Sequence, residues 1–292
     1  MTIIAFVVTV LTTIFAIMTS IINFGLLYKC FVSKELTKST TLTLFYIRFA
    51  LDGLLGIGDF FMMLLVFFKL FEVDYILAPI IPIVFIINWP IKNLLCIRAI
   101  LVIIINLDRD FAVFFPVSYY KFRKNFANSV ISVIPFCYSI IENWVLWGVC
   151  EYQLRIPPNC VLLRCVTNEC YITYGIRFEV VSHILIAIAS LALLLKLFIL
   201  NRCLLKSKSE YLEKANYLAL IDTCIIVIFD VLPAAIIAKN QSITVESFGN
   251  VFVFGKITGF ALEGYLVYRT LEKVQGKPSN LLVFRMKISN QF

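Results

Sequence analysis

The chain alternates long apolar runs with short polar, mostly basic clusters, and these runs organise it from end to end. A helix that crosses a bilayer needs about 20 mostly apolar residues. Seven runs meet that need, at about 3–27, 42–68, 75–107, 129–149, 178–200, 215–238 and 251–268. The third holds Pro79, Pro82, Pro90, Lys92 and Arg98, so its first turns are expected to be irregular, with regular helix starting nearer Ile83. No internal repeat, low-complexity run or linker interrupts the set. The pattern predicts an all-α membrane protein, a single seven-helix bundle over residues 1–292.

Composition agrees. Of the 292 residues, 61% are hydrophobic and only 15% charged, with a mean hydropathy of +0.93. Soluble domains carry about 45–50% apolar and about 25% charged residues, so lipid must solvate most of this surface. The net charge of +8 does not point to nucleic acid, because the cations sit in clusters between apolar runs, as in loops facing anionic lipid. Lys29, Lys34 and Lys38 follow the first run; Lys121, Arg123 and Lys124 follow the third. Arg202, Lys206, Lys208 and Lys214 follow the fifth, and the tail holds Arg269, Lys273, Lys277, Arg285 and Lys287. The alternate loops are poorer in cations. This asymmetry places the N-terminus outside the cell and the tail in the cytoplasm. The first run has no basic residue before it and is too long for a leader's apolar region, so it reads as a signal anchor.

Cys150, Cys160, Cys165 and Cys170 crowd into the loop between the fourth and fifth runs, the oxidising side in this topology. Two disulfides are expected there. Four cysteines allow three connectivities, and the nested one, Cys150–Cys170 with Cys160–Cys165, makes the most compact lid. Zinc is the rival, but the loop lacks a close cysteine pair of metal-ligand spacing.

Asp52, Asp59, Lys92, Arg98, Glu142, Asp222, Asp230, Lys256 and Glu263 are ionisable residues inside apolar runs. Such residues usually face the bundle interior and pair with one another. By height along antiparallel helices, Asp230 and Lys256 are expected to meet. His183, the sole histidine, stands four residues after Glu179 on one helix face. Lys92, Glu179 and His183 are candidate pocket residues, although an ordinary polar contact, with Glu179 as its partner, is the better reading of His183. A single histidine makes no metal site, and no nucleophile–base set is visible, so neither metal nor catalysis is expected. Lys256 invites comparison with a retinal anchor, but its surroundings are not those of an opsin, and no cofactor is expected.

The end of the third run reads Asp108-Arg109-Asp110-Phe111-Ala112, then Pro116 and Tyr119. This resembles the rhodopsin-like receptor signature, with Asp110 in place of an aromatic. Asn23 and Asp52 stand where that family keeps its Asn and Asp. Three further stretches resemble the nematode serpentine-receptor class BC (Srbc) chemoreceptors over nearly the whole chain. They are Phe45-Tyr46-Ile47-Arg48-Phe49-Ala50-Leu51-Asp52; Ile156-Pro157-Pro158-Asn159-Cys160 with Cys165 and Asn168-Glu169-Cys170; and Lys214-Ala215-Asn216-Tyr217 with Phe229-Asp230-Val231-Leu232-Pro233. Against the broader pattern, the seventh run has no Asn-Pro pair, the sixth no Trp near Pro233, and the third no outer Cys.

The resemblance implies a G-protein-coupled chemosensory receptor, multi-pass in the plasma membrane, with sensory cilia the implied location. Its partners would be an unknown small molecule, a heterotrimeric G protein and the lipid bilayer. It implies a switch at Asp108 and Arg109, with Glu213, twenty residues before Pro233, as a second partner. It also puts Arg98 where a sodium shell would form at Asp52, so those two are expected to pair. The alternative function is a membrane transporter or ion channel, which usually shows internal repeats and broken helices. A membrane enzyme is a third class without supporting residues.

Overall fold

A computed structural model describes residues 3–33, 43–71, 81–123, 128–154, 166–203, 221, 224–233 and 251–275. The elements are α1 (Ile3–Phe31), α2 (Thr43–Leu70), α3 (Ile81–Phe114), α4 (Asn128–Trp144) and α5 (Glu169–Cys203), followed by α6 and α7 (Val251–Gln275). Residues 224–233 are the described core of α6 and contain a π turn at Val227–Val231. A second π turn, Val145–Val149, prolongs α4. Among the described residues, six helices are long and apolar enough to cross a membrane.

Helix ends follow local chemistry more than hydropathy. The third apolar run was expected to end near residue 107, yet α3 continues to Phe114. It stops where Pro116 disfavours a helical conformation at Phe115. Pro116 then opens a short helix to Arg123, a position that loses nothing by lacking an N–H. The fifth run was expected from 178, but α5 begins at Glu169. Asn168 caps it by accepting from the Tyr171 N–H at 3.1 Å, and its amide donates to the Cys150 carbonyl at 2.7 Å. Pro90 and Pro135 lie inside α3 and α4, which membrane helices tolerate.

The helices close into a ring. α1 packs on α2 and α7, α2 on α3, α3 on both α4 and α5, and α6 on α7. Val102, Ile186 and Ile226 join α3, α5 and α6. Two larger clusters hold the other side: Leu26, Phe45, Phe49, Leu101 and Val267, and Ala16, Leu55, Met63, Ile91 and Ile257. Most other apolar side chains face outward, as lipid requires. Small residues set the closest approaches. A Cβ at Gly56 would lie 2.7 Å from the Ala16 carbonyl, and one at Gly255 would lie 2.7 Å from the Phe229 carbonyl.

Candidate functional site

At mid-bundle four charged side chains meet in apolar surroundings. Arg48 and Asp52 stand one turn apart on α2, Arg98 on α3 and Glu263 on α7, with relative exposures of 0%, 1%, 6% and 2%. Arg98 Nε donates to Asp52 Oδ1, and Arg48 Nη2 donates to Glu263 Oε2. Arg98 Nη2 reaches the same Glu263 oxygen at 3.4 Å, and Arg48 Nε lies 4.0 Å from Asp52 Oδ2. The Arg98 guanidinium also stacks 3.7 Å from the Phe260 ring centroid. Two cations and two anions make the group neutral, and mutual attraction offsets the desolvation of each.

One layer toward the α4–α5 connection, Lys256 of α7 donates to Glu179 of α5 and lies 4.0 Å from the Phe252 ring. Asp230, the partner expected for Lys256, has a side chain outside the described residues. His183 stands one turn further along α5 than Glu179 and is half-buried. Lys92 is half-buried on α3, its Nζ 3.7 Å from where a Cβ on Gly175 would stand. Glu142, 1% exposed, accepts from the Tyr171 and Tyr174 hydroxyls at 2.7 and 3.3 Å. Asp59 of α2 is 4% exposed in the same layer.

Above this layer, Cys150 and Cys170 form a disulfide with Cα atoms 5.6 Å apart, tying the end of α4 to the start of α5. This is the outer bridge of the nested pair; Cys160 and Cys165 lie outside the described residues. Glu151 turns the chain with a positive φ of 46°. Tyr152 then returns inward, its hydroxyl donating to the Val166 carbonyl at 2.8 Å.

At the opposite end of α3, Asp108, Arg109 and Asp110 are half-buried. The Tyr119 hydroxyl donates to Asp108 at 3.2 Å, and the Arg109 guanidinium lies 5.5 Å from the Phe45 ring. Glu213 falls outside the described residues. A groove of about 520 Å³, lined by Ile104, Leu107, Phe111, Phe114 and Ile131, opens between α3 and α4. Asp108 and Asp110 also border it.

A family model described as serpentine type 7TM GPCR chemoreceptor Srbc matches residues 1–275. The chain belongs to the Srbc family. No individual curated protein matches it. Srbc is a family of seven-transmembrane chemoreceptors, so the chain is a multi-pass membrane protein of receptor type and not a member of an enzyme family.

Within this Srbc chain, sequence reasoning passed over Arg48 and paired Glu263 with nothing. The signal was present: Arg48 and Asp52 are spaced i, i+4 inside an apolar run, which places both on one helix face. The tyrosines around Glu142 were equally invisible. Tyr171 and Tyr174 belong to the polar first turns of α5, outside the run read as spanning.

Proposed function

We propose that this Srbc chain binds a small molecule from the extracellular side and activates a heterotrimeric G protein in the cytoplasm. The N-terminus and the disulfide-tied α4–α5 connection face outward, and Arg109 faces inward, in keeping with the cation asymmetry of the loops. The observation that carries the reading is the neutral Arg48–Asp52–Arg98–Glu263 group. It joins α2, α3 and α7 between the outer charged layer and Arg109. Arg48 and Arg98 each stand near both acids, so a ligand that alters the outer layer can bear on how the four pair. Arg109, packed beside Phe45, is the cytoplasmic switch that helix movement releases to the G protein. Plasma membrane, and in a sensory neuron the cilium, is the proposed location.

The test is reconstitution of the full chain with a heterotrimeric G protein, after a ligand screen with a calcium or cAMP readout. Ligand-driven nucleotide exchange is expected. An ion current from reconstituted vesicles, with no exchange under any ligand, would replace this reading with that of a transporter or channel.

A further inference from the structure

Asp110 stands where the rhodopsin-like signature has an aromatic, and the switch proposed at Arg109 makes no use of it. It borders the groove between α3 and α4. Its Oδ1 is buried and accepts no hydrogen bond, and among the described residues Asp110 forms no ion pair. One turn further along α3 is Phe114, which also lines the groove. Lys196 of α5 lies against that ring, its Nζ 5.4 Å from the centroid. Among the described residues Lys196 forms no hydrogen bond or ion pair, so an acid and a base stand by one ring without pairing. Asp108, the other acid at the groove, accepts from the Tyr119 hydroxyl.

The groove lies at the depth of a lipid. By length and composition, the spanning part of α3 closes at Phe114 and that of α5 at Lys196. The two charges therefore belong to the headgroup level at the Arg109 end of the bundle. The apolar lining runs from there toward mid-membrane as far as Ile104. From Phe114 to Ile104 is about 15 Å along α3 at 1.5 Å per residue, which is half of a hydrocarbon core about 30 Å thick. Leu107 and Phe111, on the central line of this face, are exposed and so open to the surrounding acyl chains.

We infer that this groove holds a phospholipid with a primary ammonium headgroup, phosphatidylethanolamine. One acyl chain lies along Leu107 and Phe111, the phosphate meets Lys196, and the ammonium donates to Asp110. The headgroup supplies one cation and one anion for one acid and one base. A choline headgroup carries the same charges but has no N–H to give Asp110 Oδ1. A glycerol headgroup satisfies Lys196 and sets its phosphate beside an unpaired carboxylate. The inference needs only that the chain spans a bilayer, and it is independent of the receptor reading.

The test is native mass spectrometry of the purified full chain in detergent, titrated with dioleoyl phosphatidylethanolamine, phosphatidylcholine and phosphatidylglycerol. Phosphatidylethanolamine is expected to bind at roughly tenfold lower concentration than phosphatidylcholine, the worth of one charged hydrogen bond. Asp110→Asn should erase that preference, and Asp110→Glu should keep it. Lys196→Gln should weaken both lipids alike and leave their ratio unchanged, because the phosphate is common to them. Leu107→Trp places an indole in the groove and should reduce binding of all three. Equal binding of phosphatidylethanolamine and phosphatidylcholine to the wild type would overturn the inference, as would tighter binding of phosphatidylglycerol. A preference that survives Asp110→Asn would remove the ammonium contact, and binding unchanged by Leu107→Trp would remove the groove. Should Asp110→Asn fail to fold, the wild-type ranking together with Leu107→Trp decides.

Discussion

A single arginine at the centre of a bilayer costs about 2.5–3.5 kcal/mol on insertion scales, and this chain places two within one layer. Arg48 and Arg98 are tolerated because Asp52 and Glu263 lie between them. Glu263→Gln would leave two guanidinium groups to share Asp52, and a loss of about 3–5 kcal/mol is expected, as for any buried pair stripped of one member. Asp52→Asn combined with Arg98→Met removes one cation and one anion, leaving Arg48 with Glu263. That double variant should melt higher than either of its single parents; equal melting of all three would show that the four do not act as a group. The same geometry bears on cations from solution. The Arg98 guanidinium engages Asp52 Oδ1 and Arg48 Nε stands 4.0 Å from Oδ2, so two fixed cations take the place of a sodium ion there. Agonist affinity should be the same in sodium and in a bulky organic cation at equal ionic strength, and a sodium-specific shift would argue against the pair.

Helices meet where the sequence supplies small residues and end where it supplies caps or prolines. Gly56→Val would push a side chain into the Ala16 carbonyl of α1 and should cost about 1–3 kcal/mol, the usual penalty of overpacking. Gly25→Val is the matched control, since nothing lies within 4 Å of a Cβ placed there, and its melting temperature should stay near that of the wild type. Asn168→Ala removes the α5 cap and should cost about 1 kcal/mol, while non-reducing peptide mapping should recover Cys150 joined to Cys170. The existence and order of the helices were legible in the sequence because apolar length is a one-dimensional signal. Their ends were less so. The stretch Glu169–Arg177 is too polar to count as spanning, yet a capping asparagine and a disulfide make it helix.

For the whole molecule, heights along helices could be read from sequence, whereas neighbours around the ring could not. Asp52 and Arg98 meet at the height their positions allow, but Lys256 finds Glu179 on α5, a helix that no spacing argument had set beside it. The same gap hid the Arg48–Glu263 contact, which spans 215 residues of sequence. Long-range coupling is the remaining question at this scale. From Lys92 to Arg109 is about 25 Å along α3 at 1.5 Å per residue, so a ligand in the outer layer never touches the inner end. It can act only by favouring one of two helix arrangements, and a nearly complete shift needs about 5.5 kcal/mol of differential binding. Arg109 is the residue expected to report that shift. In the present arrangement it packs by Phe45 of α2, next to Asp108, which Tyr119 holds. Arg109→Ala should abolish ligand-driven nucleotide exchange and leave surface expression largely intact, because the side chain is only half-buried. Tyr119→Phe deletes a hydrogen bond worth about 0.5–1.5 kcal/mol and should raise basal exchange severalfold if that bond restrains the resting form. Glu213→Ala should raise it too if that acid ties α6 to α3. Full activation through Arg109→Ala would remove the switch from the mechanism, and unchanged basal exchange in Glu213→Ala would confine the restraint to α3 and its own short helix.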